Sequence, residues 1–97
     1  MLSKSNRLTI FLSQSKCIWE NLAYEDVLYR AVGSTAPDHD QLLIWRNEPA
    51  VVIGRHQNPW LESNLSYLTL HGIKLARRHS GGGAVYHDMG NINCSLL

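Results

Sequence analysis

Residues 77–88 read Arg77-Arg78-His79-Ser80-Gly81-Gly82-Gly83-Ala84-Val85-Tyr86-His87-Asp88. Glycine has no Cβ and tolerates positive φ, so three in a row let a backbone approach a ligand closely. The two preceding arginines bring fixed positive charge and planar N–H donors that suit a phosphate. This composition predicts a loop that binds an anion. The alternative is a hairpin turn with incidental arginines, although three glycines exceed what a turn requires and raise the entropy cost of folding.

Two common phosphate-binding motifs do not match this loop. A P-loop needs Lys-Ser/Thr and a helix after its glycines, whereas Ala84-Val85-Tyr86 has the composition of a strand. A Rossmann fingerprint needs G-x-G-x-x-G between a strand and a helix, and this spacing is absent from the sequence. Arg77 and Arg78 are neighbours on a predicted strand, so their side chains are expected to point to opposite faces and only one to reach the site.

Apolar patterning and turn residues predict the order β-α-β-β-α-β-β-β. The predicted strands are residues 9–12, 42–46, 50–54, 73–78, 84–87 and 91–97, and the predicted helices are 17–32 and 64–72. Residues 34–41 and 54–59 are predicted loops, and Asn47-Glu48-Pro49 is the spacing of a β-hairpin. The order favours an α+β fold with a mixed, largely antiparallel sheet, helices packed on one face, and a sheet left incomplete at the C-terminus.

The first predicted helix carries an apolar stripe. Its residues recur every four positions, at Trp19, Ala23, Val27 and Ala31. Four more widen the stripe, namely Ile18, Leu22, Leu28 and Val32. We expect this stripe to face the core and Gly33 to end the helix. Asn64 is the expected N-cap of the second helix, and Gly72 its expected end.

Composition excludes several classes of function. A formal net charge of +1 argues against a dedicated nucleic-acid binder, which carries a basic excess. No apolar run approaches the ~18 residues of a membrane span, so we expect no membrane partner. The five histidines lack the spacing of metal ligands, and no metal site is predicted. Cys17 and Cys94 are expected to be free thiols, with Cys94 buried as a small apolar residue.

Polar residues after the glycines are further candidates. Tyr86 could stack on a base or cover an apolar ligand, or simply pack in the sheet. His87 could act as a base or bond a phosphate, or fix a turn through Asp88. Asn91 and Asn93 lie two apart on a predicted strand and therefore share a face, which suggests that this face lines a pocket.

Four blocks of sequence together resemble the lipoate–protein ligase and lipoyltransferase family, within the biotin/lipoyl protein ligase superfamily. They are Asn21-Leu22-Ala23-Tyr24-Glu25-Asp26, Val51-Val52-Ile53-Gly54-Arg55-His56-Gln57-Asn58-Pro59-Trp60, Gly72-Ile73-Lys74-Leu75-Ala76-Arg77-Arg78, and Ser80-Gly81-Gly82-Gly83-Ala84-Val85-Tyr86-His87-Asp88-Met89-Gly90-Asn91. The blocks occur in the family's order. The sequence is most similar to the mitochondrial lipoyltransferases of animals.

The resemblance implies a biotin/lipoyl ligase-like fold and a role in protein lipoylation. The implied reaction transfers a lipoyl group from lipoyl-AMP to a lysine of lipoyl domains, in E2 subunits of 2-oxoacid dehydrogenase complexes or in glycine-cleavage H protein. Ligase-type members form lipoyl-AMP from lipoate and ATP with Mg²⁺. The resemblance further implies a monomeric mitochondrial protein with no nucleic-acid partner.

The resemblance also assigns a binding site for lipoyl-AMP. Arg78 is expected to contact the adenylate, and the remaining site residues are expected to be Ser80, Gly81, Gly82, Gly83, Ala84, Val85, Tyr86, His87 and Asn91. No catalytic residue is assigned, because the family's central lysine lies downstream of Leu97. We therefore expect residues 8–97 to be the N-terminal part of the catalytic domain, inactive alone, and residues 1–7 to be a remnant of a targeting segment. The alternative is a non-catalytic adenylate-binding or interaction module.

Overall fold

The computed structural model describes residues 7–31 and 39–97, which form three helices and six strands. In chain order these are β1 (Arg7–Leu12), α1 (Ile18–Ala31), β2 (His39–Trp45), β3 (Ala50–Ile53), α2 (Pro59–Glu62), α3 (Leu65–Leu70), β4 (Lys74–Arg77), β5 (Val85–His87) and β6 (Asn93–Leu96). The α+β class with mixed strand directions is confirmed. None of these three helices is long and apolar enough to cross a membrane.

The strands form two three-stranded sheets, with the orders β1-β2-β6 and β4-β3-β5. The central strand of each sheet has one parallel and one antiparallel neighbour. β2 runs parallel to β1 and antiparallel to β6, while β3 runs parallel to β4 and antiparallel to β5. A parallel pair needs a crossover rather than a tight turn. α2 and α3 lie on the crossover between β3 and β4.

The predicted hairpin between residues 42–46 and 50–54 is wrong. β2 and β3 belong to different sheets, and residues 46–49 form a corner between them. Asn47 explains why these residues do not close a hairpin: it is fully buried at 0% exposure and bonds to α1 through its side chain. The backbone N–H of Glu48 also donates to the carbonyl of Lys16 at 2.8 Å, which ties the corner to the segment before α1.

Helix α3 confirms the second predicted helix. The Oδ1 of Asn64 accepts a hydrogen bond from the backbone N–H of Tyr67 at 3.1 Å, as an N-cap should. Gly72 has φ of 66°, the left-handed geometry that commonly ends a helix. The predicted loop over 54–59 is confirmed for residues 54–58, and α2, which the sequence analysis missed, begins at Pro59. Asn58 caps this short helix and Pro59 occupies its first turn.

Several predicted boundaries shift. Strand β2 begins at His39, so residues 39–41 of the predicted loop 34–41 are strand, and residues 34–38 lie outside the described residues. The predicted end of the first helix, at 32 and 33, also lies outside them. Strand β1 begins at Arg7, while the rest of the predicted targeting remnant, residues 1–6, is not described.

The core includes residues of α1 and of both sheets, and α1 contacts β2 and β4. Its buried members are Ile18, Leu28, Leu43, Trp45, Ala50, Val52 and Ala76. The predicted four-residue stripe of α1 is only partly right, because Trp19 and Val27 are 55% and 62% exposed. A spacing of four residues advances about 40° around a helix at each step, so such a stripe drifts off one face.

Candidate functional site

A cleft of about 740 Å³ opens between the two sheets and is flanked by α1. Its apolar wall comes from both sheets, α1 and the chain end: Leu22, Trp45, Val52, Val85 and Leu97. Three basic side chains also line the cleft, those of Arg55, Arg78 and His79. The cleft therefore combines an apolar surface with basic groups, which suits an amphipathic anion.

The glycine loop (residues 79–84) crosses directly over Gly54. A Cβ on Gly54 would lie 2.2 Å from the carbonyl oxygen of Gly82, a distance that no real side chain tolerates. The backbone N–H of Arg55 donates to the carbonyl of Ser80 at 2.9 Å. Gly82 itself has φ of 105°, which favours glycine. The loop is thus held against the end of β3 by backbone contacts that need glycine on both sides.

The guanidinium of Arg78 donates hydrogen bonds to the glycine loop. Its Nε and Nη2 donate to the carbonyl of Gly81 at 3.3 and 2.9 Å, and Nη2 donates to the carbonyl of Gly83 at 2.7 Å. Its Nη1 makes a longer bond, 3.5 Å, to the carbonyl of Val52. The carbonyls of Gly81 and Gly83 therefore face the arginine.

Arg77 has a different role from Arg78, as their positions on a strand predicted. Its Nη1 donates to the carbonyls of Arg55 and Gln57 at 2.9 and 2.8 Å, so it stabilises the turn after β3. Lys74 is also on β4, and its Nζ lies 5.6 Å from the ring centre of Trp19. Neither Arg77 nor Lys74 lines the cleft, whereas Arg78 and His79 do.

His87 is held by a chain of buried amides. Its Nδ1 lies 3.2 Å from Nδ2 of Asn47, whose Oδ1 accepts from Nδ2 of Asn21 at 2.7 Å. Both asparagines are 0% exposed, and the Trp45 ring packs edge-on at 6.0 Å from the His87 ring. Burial lowers the pKa of His87, and the positive charge of Arg78 lowers it further.

The structure brings together part of the predicted site. Arg78, Ser80, Val85 and His87 line the cleft, and the three glycines curve around Arg78. The remaining predicted residues, Ala84, Tyr86 and Asn91, lie outside the lining. Asn91 donates from Nδ2 to the carbonyl of Tyr86 at 3.1 Å, so it holds the turn after β5. Contact of these residues with a ligand stays a prediction.

Strand β6 supplies a wall that the sequence analysis only partly identified. Asn93 lines the cleft, as predicted, but the predicted strand face shared with Asn91 is wrong, because β6 begins only at Asn93. Cys94 also lines it and is exposed, so the prediction of a buried cysteine is wrong. Among the described strands, β6 is at the edge of its sheet and pairs only with β2. Ser95 accepts from the indole Nε1 of Trp45 at 3.0 Å and donates to the carboxylate of Glu25.

Helix α1 supplies the residues that the sequence analysis missed. Leu22, Glu25, Asp26 and Tyr29 all line the cleft. They follow the spacing i, i+3, i+4 and i+7, which places them on one helix face. The spacing can be read from the sequence. Because this face mixes apolar and acidic residues, a search for an apolar stripe does not find it.

The acidic groups of this face are engaged with neighbours. Asp26 pairs with Nε of Arg30 at 2.8 Å and lies 3.7 Å from Nε2 of His79. Within residues 7–31 and 39–97, no group of three or more His, Cys, Asp or Glu is placed to hold a metal ion.

Comparison with known proteins identifies the family of this chain. The model of the lipoyl protein ligase A/B catalytic domain matches residues 17–97. The chain belongs to this family. The resemblance found in the sequence blocks is thereby confirmed.

Two relatives are mammalian proteins named lipoyl amidotransferase LIPT1, mitochondrial. The mouse protein is 57% identical over 88 residues and the human protein 54%, and each match covers 91% of this chain. The chain spans 23% of the length of either relative.

Solved lipoate protein ligases share the fold. A ligase from Thermoplasma acidophilum with bound lipoic acid gives a TM-score of 0.80 at 36% identity, covering 95% of this chain and 37% of that one. A lipoate–protein ligase A bound with ATP gives 0.81 at 37% identity, covering 95% and 36%. A bipartite ligase from Thermoplasma acidophilum, described with its E2 lipoyl domain, gives 0.80 at 37% identity, covering 95% and 35%.

Proposed function

We propose that this chain serves protein lipoylation and that its cleft binds lipoyl-AMP. The observation that carries the proposal is the position of Arg78, which sits under the glycine loop at the border of an apolar cleft in a lipoyl protein ligase family member. An acyl adenylate has a matching division into an anionic nucleotide and an apolar chain.

The anionic part of the ligand would meet Arg78. The Nη1 of Arg78 makes only the longer bond to Val52, so this end of the guanidinium is the most readily offered to a phosphate. Arg55 lines the same cleft and adds positive charge, and His79 also lines it. Hydrogen bonds to charged groups contribute about 1.5–3 kcal/mol net, so one aligned arginine changes affinity tenfold or more.

The apolar part of the ligand would lie against Leu22, Trp45, Val52 and Val85. These side chains come from α1 and from both sheets, and they form a continuous part of the lining. The cleft volume of about 740 Å³ falls within the range of roughly 300–1,000 Å³ that is usual for small-molecule sites. Lipoic acid bound to the Thermoplasma acidophilum ligase and ATP bound to ligase A support both halves of this assignment.

Magnesium enters the proposal only as part of an ATP-dependent route that some family members use. The carboxylates of the cleft do not suit it, because Glu25 accepts from Ser95 and Asp26 is paired with Arg30. We therefore assign no step of the reaction to a metal ion.

Transfer to an acceptor is the second part of the proposal. We propose lipoyl domains of E2 subunits and glycine-cleavage H protein as acceptors, and a mitochondrial location like that in the names of the mammalian relatives. No lysine occurs among the described residues that line the cleft. We propose that residues 8–97 supply the N-terminal part of the catalytic domain and that the 97-residue chain binds the adenylate without transferring it.

Isothermal titration of the 97-residue chain with a non-hydrolysable lipoyl-AMP analogue tests the proposal. We expect saturable binding that is at least about tenfold weaker in Arg78→Ala, given the value of a charged hydrogen bond. Arg46→Ala is the matched control, since Arg46 is exposed and outside the cleft lining. Absence of binding, or equal affinity in Arg78→Ala, would reject the site.

Mass spectrometry of a lipoyl domain incubated with the chain and lipoyl-AMP tests the second part. We expect no gain of a lipoyl group on the acceptor lysine beyond the rate without protein. A gain that depends on the chain would show that it transfers by itself and would contradict the binding-only assignment.

A further inference from the structure

The two asparagines beneath the cleft are fully buried polar residues that the proposed function has not used. Asn21 lies within α1 and Asn47 lies at the corner between the sheets, and both are 0% exposed. Asparagine is a poor residue for a helix interior, and a buried amide needs partners for all its polar atoms. Their placement therefore calls for a specific role.

The hydrogen bonds of Asn21 determine which of its side-chain atoms is the donor and which is the acceptor. One side-chain atom of Asn21 lies 3.1 Å from the carbonyl oxygens of both Ser15 and Arg46. Backbone carbonyls only accept, so this atom must be the amide nitrogen Nδ2. The other side-chain atom is then Oδ1, which accepts from the hydroxyl of Ser13.

The assignment of Asn21 in turn determines the donor and acceptor atoms of Asn47 and of His87. Nδ2 of Asn21 has two protons and faces three oxygen acceptors, so two of these acceptors share one proton. The side-chain atom of Asn47 that lies 2.7 Å from this donor nitrogen must be an acceptor, which is Oδ1. The remaining atom of Asn47 is Nδ2, a donor, and it lies 3.2 Å from Nδ1 of His87. A donor opposite Nδ1 requires that nitrogen to carry a lone pair rather than a proton.

We infer that Asn21 and Asn47 are positioning residues that hold His87 as its neutral Nε2–H tautomer, which presents a hydrogen-bond donor to the ligand in the cleft. A neutral imidazole has one donor and one acceptor nitrogen, and here the acceptor is occupied by Asn47. His87 therefore bonds an oxygen of the bound ligand and does not serve as a base through Nε2. The ligand named here rests on the proposed function, while the tautomer does not.

The electrostatic surroundings favour the same state. Arg78 lies near His87, and its charge opposes a second positive charge on the imidazole. The other ionisable groups that line the cleft with His87 are Glu25, Asp26 and Tyr29 of α1, Arg55 after β3, His79 in the glycine loop, and Cys94 of β6. Glu25 and Asp26 are bonded to Ser95 and Arg30, respectively, and the neighbouring Asp88 accepts from the backbone of Gly90.

Long-range ¹H–¹⁵N NMR of the histidine rings tests the inference directly. The 97-residue chain, labelled with ¹⁵N and without ligand, is measured above pH 7, and His87 is assigned with His87→Gln. We expect a single Nε2–H tautomer for His87. A Nδ1–H tautomer, or the averaged spectrum of a free imidazole, would overturn the inference.

Asn47→Asp is the sharper second test, because it changes one donor into an acceptor without changing shape. One carboxylate oxygen still accepts from Asn21, while the other now accepts from His87. We expect the His87 spectrum to switch to Nδ1–H and its pKa to rise. Asn64→Asp makes the same charge change at an exposed helix cap and should leave His87 unchanged.

The outcomes remain separable. A folded Asn47→Asp chain that keeps the Nε2–H tautomer would overturn the inference, and if this variant fails to fold, the spectrum of the unaltered chain decides. Both measurements are made without ligand, so their failure leaves lipoyl-AMP binding standing. Failure of lipoyl-AMP binding likewise leaves the tautomer standing.

Discussion

Gly54 and Gly82 meet backbone to backbone, with the carbonyl oxygen of Gly82 placed 2.2 Å from where a Cβ on Gly54 would be. The contact fixes the glycine loop over the last residues of β3. Gly54 is buried, so no solvent-facing space exists into which a methyl group could turn. The same loop also contacts Arg78, whose Nη2 donates to the carbonyls of Gly81 and Gly83.

We predict that Gly54→Ala destabilises the chain and displaces the glycine loop. Overpacking against backbone costs about 1–3 kcal/mol, and denaturant unfolding measures this as a lower free energy of unfolding. Gly81→Ala is the control, because its Cβ would meet nothing within 4 Å. Equal stability of the two variants would show that the loop does not cross Gly54 in solution.

We predict that His87 makes stability fall as the medium becomes acidic. Its folded pKa is lowered from 6.5, so the unfolded chain takes up a proton first. The contribution of His87 is therefore complete above about pH 6.5 and declines as pH falls towards the lower folded pKa. Thermal unfolding of His87→Gln should lose this part of the pH dependence.

His56→Gln is the control for that measurement, since His56 is exposed at the turn after β3. It should retain the full pH dependence of the unaltered chain. The prediction fails if His87→Gln and the unaltered chain keep a constant stability difference between pH 5 and pH 8, the range that spans an ordinary histidine pKa of about 6.5.

We predict that Cys94 reports occupancy of the cleft. Cys94 is exposed and lines the cleft, whereas Cys17 is partly buried and lies outside it. Alkylation followed by mass spectrometry should modify Cys94 faster, and the lipoyl-AMP analogue should slow this reaction only. Ligand protection of both thiols to the same degree would indicate general stabilisation rather than cleft binding.

We predict that Leu43→Ala is among the more damaging core substitutions. Leu43 is 0% exposed on the central strand β2, and truncating a buried leucine costs about 2–5 kcal/mol. Leu8→Ala is the control on the neighbouring strand, because Leu8 is 54% exposed. Denaturant midpoints measure both, and a comparable shift in the two variants would contradict the assigned core.

Local sequence signals predicted the elements that depend on local chemistry. The Asn64 cap and the glycine at position 72 located α3 because both act within one turn of the backbone. The strands on either side of the glycine loop were also predicted. The family resemblance added the function and the identity of the loop.

The same local signals could not predict contacts between residues that are distant in the sequence. Asn47 lies in a segment with the composition of a turn, yet its side-chain amide is buried and bonds to Asn21 of α1. The strand that follows it belongs to a second sheet. The α1 wall of the cleft was missed for a related reason, since Glu25 and Tyr29 share a face only with residues of mixed polarity. Such partners are set by the packing of distant segments.

The corner at residues 46–49 has a consequence for cooperativity. It is the covalent link between β2 and β3, and the two sheets that they centre contribute opposite sides of the cleft. A molecule bound there stabilises only the state in which both sheets are formed, and by mass action it raises the free energy of separating them. Amide hydrogen exchange in the two sheets should then slow together as the ligand is added. Occupancy would make two small sheets unfold as one unit.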